Sequence, residues 1–198
     1  MAEPLLVTFT AGATGEWSIA RTTAVTGASL ATAARLAVTE GAAAVAAVAT
    51  VDSPAGPTAT TDAHGWLLHG VVSNQRYTTA SELAALNAVS PALGRPAATV
   101  AALILITKSR TWWELAQDER RAIFEETSHH IRHSMDYLPA VARRLHHARD
   151  LRGPFDFLTW FEFAPEDAGA FDDLLSILRG TAEWTYVERE VEVRLERA

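Results

Sequence analysis

The spacing of apolar positions changes several times along this chain, and each spacing predicts an element. Leu5 to Thr10 (LLVTFT) reads as a strand, and a second short strand is expected around Trp17 to Ala20. An Ala- and Leu-rich stretch from Ala28 to Val38 predicts a helix. Residues 41–63 carry Ala, Thr, Gly and Pro with almost no charge, which predicts a connection with no readable chemistry. Trp66 to Ser73 (WLLHGVVS) predicts a strand. Ser81 to Val89 predicts a helix, with Ser81 as its N-cap and Leu83, Leu86 and Val89 at helical spacing. Val100 to Ile106 (VAALILI) is an unbroken apolar run, short enough for a buried strand, and a charged helix follows from about Gln117 to His133.

The last third has the sharpest pattern. Phe155 to Phe163 (FDFLTWFEF) is an aromatic strand. Pro165 opens a helix with Glu166 and Asp167 in its first turn and Phe171, Leu174, Leu175 and Leu178 as its apolar stripe. Thr185 to Leu195 alternates, placing Val187, Val191, Val193 and Leu195 on one face. Strand, helix, hairpin, helix, strand is the order of a ferredoxin-like unit, and the first half holds a shorter, looser version of it. The fold class is therefore α+β, built from two related halves of which the first is reduced.

Composition narrows the function. A chain of 198 residues with a net charge of −7 lacks the basic footprint of a nucleic-acid or anionic-membrane binder, yet it can hold a small anion at a local positive site. With no cysteine, a tightly bound metal must use His, carboxylate or Tyr. The N-terminal MAEPLLVTFTAG lacks the pattern of a signal peptide, and no run of about 18 apolar residues occurs, so a cytoplasmic protein is expected.

Five of the seven histidines lie in SHHIRHSMDYLPAVARRLHHARDL, Ser128 to Leu151. On a continuous helix at about 100° per residue, His130 falls about 20° from Ile123 on the apolar border, while His129 and His133 turn toward the charged side. His130 is then either a hydrogen-bonded core histidine or a ligand. A metal pair at His129 and His133 would have the right i, i+4 spacing but no third ligand. Pro139 predicts a break near Leu138. Beyond it, Ala140 to His147 can form a strand with Val141, Arg143, Leu145 and His147 on one face and Ala142, Arg144 and His146 on the other. An arginine on the more apolar face needs an anion or carboxylate. A helix, a break and a strand would let His130 and Arg143 approach one site from opposite sides, an arrangement suited to an iron porphyrin. The other four histidines are expected on solvated faces or in ordinary hydrogen bonds.

This stretch, together with GPFDFLTWFEF and TAEWTYVEREVEVRL, resembles the chlorite dismutases, and most nearly their short form. The similarity is dense from about Leu93 to the C-terminus. It implies one domain over residues 1–198, an antiparallel α+β barrel of two ferredoxin-like halves. The N-terminal half, about 1–95, is reduced, and the heme-binding half spans about 96–198. It implies a homodimer that carries heme b (iron) and converts chlorite to chloride and dioxygen through a ferryl and hypochlorite pair. By the resemblance His130 ligates the iron, and Glu183 accepts a hydrogen bond from its other ring nitrogen, which makes the imidazole more basic. Arg143 matches the catalytic distal arginine. Lys108, Trp112 and Trp113 match a segment lying against the porphyrin and its propionates, and Leu138 falls where access to the distal side narrows. The chain departs from the family at Ser90, where short-form members often carry a glutamine that reaches the distal arginine; a more mobile Arg143 follows.

Other readings differ in chemistry. A coproheme decarboxylase of the same superfamily usually has glutamine in place of Arg143 and a fuller N-terminal half. A heme peroxidase with weak chlorite chemistry fits Ser90, and a non-enzymatic heme carrier or sensor would not need Arg143.

Overall fold

The computed structural model describes residues 5–41, 44, 64–72 and 76–198. The stretch expected to be an unstructured connection, 41–63, lies almost wholly outside these. Eight strands are present: β1 (Leu5–Gly12), β2 (Trp17–Thr26), β3 (Arg35–Glu40), β4 (His64–Val72), β5 (Val100–Lys108), β6 (Ala142–His147), β7 (Phe157–Phe163) and β8 (Val187–Arg197). They close one antiparallel barrel in the order β1-β3-β2-β8-β5-β7-β6-β4. Taken half by half, the order is β4-β1-β3-β2 and β8-β5-β7-β6, the same sequence of first to fourth strand in each.

Strand β5 is apolar from Val100 to Ile106 because both of its faces are covered there. Leu103 and Leu105 point into the barrel with Phe9, Leu36, Leu158, Trp160, Val191, Val193 and Leu195. Ala102, Ile104 and Ile106 point outward, into a second core with Val141, Phe161, Phe163, Phe171 and Leu175. The outer core is roofed by α5 (Ala168–Arg179), whose Phe171, Leu174, Leu175 and Leu178 are all buried as the periodicity predicts. Beneath the same helix the buried Glu190 and Glu192 accept hydrogen bonds from Arg179, and Glu192 also from Arg194. Inside the barrel Gly70 makes room for His146; a Cβ at Gly70 would lie 2.8 Å from the His146 Cβ.

Four expectations change. Ala28–Ala34 has no helix, and Arg35–Glu40 is a strand. Six residues of this segment pair with β1, and that tertiary pairing outweighs the helix preference of alanine. Helix α1 (Ala80–Val89) is capped by Thr79, not Ser81, because Glu82 returns to the Thr79 backbone N–H at 2.7 Å in a capping box. Val187 departs from the face of Val191 and packs against the outer core, across a bulge where it opposes Lys108. The charged helix Gln117–His133 is three pieces: α3 (Gln117–Arg121), a π turn (Ala122–Thr127) and α4 (His130–Met135). His129, at φ 50° in the left-handed region, divides the last two. A short helix α2 (Arg110–Glu114) precedes them.

Candidate functional site

The outward face of β5, β6 and β7 floors a cavity between the sheet, α4 and α5. Ile104, Ile106, Leu145, Phe157, Phe161 and Leu175 supply apolar walls, and His130 and Arg143 both line it. The alternation of β6 explains how the arginine arrives. Arg143, Leu145 and His147 reach this cavity, while Arg144 and His146 turn to the barrel side.

His130 opens α4, so its ring sits at the start of a helix and not within the long one that the wheel assumed. Its Nδ1 lies 2.7 Å from Glu183 Oε2. The other Glu183 oxygen accepts from Lys108 Nζ at 2.7 Å, and the Glu183 carbonyl accepts from the same ammonium at 3.3 Å. Glu183 comes from the 3-10 turn Ala182–Tyr186, and its backbone N–H donates to Ser128 Oγ at 2.9 Å. Burial alone would raise the Glu183 carboxyl; the facing His130 and Lys108 outweigh it and hold the group down to about 2. Glu183 is thus a fixed acceptor that keeps His130 Nδ1 engaged and leaves the other ring nitrogen, Nε2, for the cavity. Burial pushes the Arg143 guanidinium below its ordinary value.

Lys108 lines the cavity. Its ammonium is engaged by Glu183 and lies 4.7 Å from the Trp112 ring centre. Trp112 is buried and lines the cavity. Trp113 does not line it; its indole N–H donates to Asp156 at 3.1 Å, its ring stacks on Phe157 and the Arg149 guanidinium lies 3.9 Å above it. Leu138 does not line the cavity either. It precedes Pro139 through a cis peptide at the break between α4 and β6. Ser90 is exposed and caps the C-terminus of α1.

Sequence reasoning passed over several neighbours. Phe124 stacks on the His130 imidazole at 4.4 Å between ring centres. Arg76, Tyr77, Thr78 and His147 line the same cavity. His147 had been signalled by its alternation with Arg143, whereas no pattern pointed to the segment around Tyr77. His146 is buried in the barrel, its Nδ1 2.9 Å from the Leu158 carbonyl, and His129 is exposed with its ring edge-on to His133. Among the described residues no three His, Asp or Glu are grouped to hold a metal ion.

A scan against models of protein families matched none. Solved structures do match. One is a dimeric chlorite dismutase from Nitrobacter winogradskyi, 51% identical over 97% of this chain and 99% of that one, with a TM-score of 0.83. The chain belongs to the chlorite dismutase family. A mutant chlorite dismutase from Candidatus Nitrospira defluvii is 21% identical over 98% of this chain and 93% of its own, at a TM-score of 0.68. A structure of the latter protein in complex with imidazole aligns at 20% identity over 98% and 92%, with a TM-score of 0.66. These two share the family fold with the chain, while the Nitrobacter protein shares half of its residues as well. No helix among the described residues is long and apolar enough to cross a membrane.

Proposed function

We propose that this chain is a heme b enzyme that converts chlorite to chloride and dioxygen. His130 is the iron ligand and Arg143 the residue that binds the reacting anion. The observation that carries this reading is the linked set Lys108–Glu183–His130 facing the same apolar cavity as Arg143, in a chain 51% identical to a chlorite dismutase.

The donor set fits the cofactor. A single imidazole with one nitrogen tied to a carboxylate and the other open is the arrangement of an axial ligand. The isoleucine, leucine and phenylalanine walls of the cavity suit a flat apolar macrocycle. Heme, when bound, supplies the redox centre at which a Cl–O bond breaks and an O–O bond forms.

The chain's residues do the rest. Glu183 keeps its charge and holds His130 in one orientation, raising the electron-donating power of the imidazole. Lys108 neutralises that buried carboxylate, without which the charge would be costly. Trp112 packs on Lys108 and closes the side of the cavity. Arg143 draws chlorite in and retains the chlorine-bearing anion until the second bond forms. A charge-assisted hydrogen bond of about 1.5–3 kcal/mol lengthens that residence roughly 10- to 100-fold. Trp113 shapes the cavity wall by its stack on Phe157, and Leu138, between α4 and β6, narrows access to the side of Arg143. The repeated strand order supports two ferredoxin-like halves within one domain, about 1–95 and about 96–198. The dimeric Nitrobacter relative supports a homodimer.

An oxygen electrode tests the reading. Heme-loaded protein given chlorite should release one dioxygen per chlorite consumed, and no oxygen would sink it.

A further inference from the structure

We infer that the π turn Ala122–Thr127 and the serine after it form a positioning device for His130, with Glu125 as its central positioning residue. The inference rests on the reading of His130 as the iron ligand.

Two side chains, Phe124 of the turn and Ser128 just after it, touch the His130–Glu183 pair, and a third, Glu125, holds the backbone next to His130. The turn is wider than an α-helical one, the Ser128 N–H reaching back five residues to the Ile123 carbonyl at 3.1 Å. His129 then reverses the backbone, so α4 begins afresh at His130 with its first N–H groups in need of acceptors. Glu125 supplies them. Its Oε2 accepts from the Ile131 N–H at 2.6 Å and its Oε1 from the Arg132 N–H at 3.3 Å. Its backbone carbonyl accepts from the His129 N–H at 2.9 Å. Phe124, one residue before, lies nearly parallel to the imidazole, with 21° between the planes. Ser128, three residues after, holds the Glu183 backbone at 2.9 Å.

The consequence is geometric. The Nδ1 contact with Glu183 fixes one direction of the imidazole, and the Phe124 stack fixes its plane. Neither holds unless the start of α4 stays where Glu125 pins it. Ser128 ties the partner carboxylate to the same turn, so donor and acceptor move together or not at all. A uniform α-helix through this region would give none of these contacts, because the left-handed step at His129 and the wide turn set the phase of everything after them. Nothing in this device touches an incoming anion. It acts on chemistry solely through His130.

The test uses the full-length protein loaded with heme and two readouts other than turnover. One is the iron–histidine stretching band of the ferrous protein; the other is the rate of heme transfer to an apo-acceptor. Glu125→Ala should shift and broaden the band and release heme roughly 10- to 100-fold faster. Glu125→Gln, whose amide oxygen still accepts the Ile131 N–H, should restore most of both. Ser128→Ala should move the band in the same way, and it carries the test if Glu125→Ala does not fold. A wild-type band and wild-type release in Glu125→Ala, or in Ser128→Ala where the former does not fold, overturns the inference even if the melting temperature falls. The parent reading fails differently: the wild-type protein would then show no iron–histidine band, or the band would survive in His130→Ala.

Discussion

Strand β6 serves two cavities with different linings. On its outer side Arg143 enters an apolar space where one carboxylate, Glu183, is shared by Lys108 and His130. On its inner side Arg144 enters a second cavity that Glu16, Glu40, Glu162 and Arg197 also line, and there it pairs with Glu40. There Glu162 is met by the Trp160 indole, the Gly94 N–H and, at 4.0 Å, Arg197. Adjacent arginines thus enter different surroundings. One lies among the apolar side chains that share the cavity with His130, and the other pairs with Glu40. The difference comes from the two-residue period of a strand, since a slip of one residue would exchange the two.

The comparison can be broken most directly by removing each arginine in turn. Arg143→Ala should keep heme but cut oxygen yield per heme at least tenfold and hasten bleaching, whereas Arg144→Ala should stay within about twofold of wild type. Equal losses in a chlorite assay would erase the distinction between the faces. Next in size, Glu183→Gln leaves Lys108 without a counter-charge and His130 with a weaker acceptor. Heme affinity in a titration should fall roughly 10- to 100-fold.

On the barrel side the predicted effect concerns stability. Burial lowers the His146 pKa to about 4, the Arg144 and His147 charges adding to it against the Leu158 hydrogen bond. An unfolded histidine titrates near 6.5, so below that pH the unfolded chain binds the proton more readily. The contribution is complete above about pH 6.5 and is lost as pH falls, the loss reaching about 3 kcal/mol at pH 4. His147, lowered to about 4 by burial and by the Arg76 charge, adds to the same slope. Urea titrations from pH 7 to 4 should show a shallower decline in His146→Gln than in wild type; an unchanged slope would remove His146 from the account. Smallest is Gly70→Ala, which presses on the His146 Cβ and should cost about 1–3 kcal/mol in the same titrations with heme affinity unaltered.

Much of the site could be read from residue patterns before any coordinates. The period-two reading of Ala140–His147 placed Arg143, Leu145 and His147 on one face and Arg144 and His146 on the other, as observed. His130 was also singled out, though by an argument the structure revises. The wheel assumed one helix through His133, and the π turn and left-handed His129 break it. No periodicity announces a π turn, because it depends on where the chain must arrive and not on which residues are apolar. The same limit hid Phe124, Glu125 and Ser128. Arg35–Glu40 was misread because its partner strand, β1, is distant in sequence. The aromatic and alternating strands of the last third were legible because both of their faces obey simple burial rules.

The two walls of the cavity are held by different kinds of contact. Arg143 rides on β6, all six residues of which pair with β7. His130 is held by side chains from three sides: the Glu183 carboxylate at its Nδ1, the Glu125 carboxylate on the N–H of the next residue and the Phe124 ring against its face. One wall is woven and the other is clamped. A woven wall keeps its register whichever single neighbouring side chain is changed, whereas a clamped one can be loosened one substitution at a time.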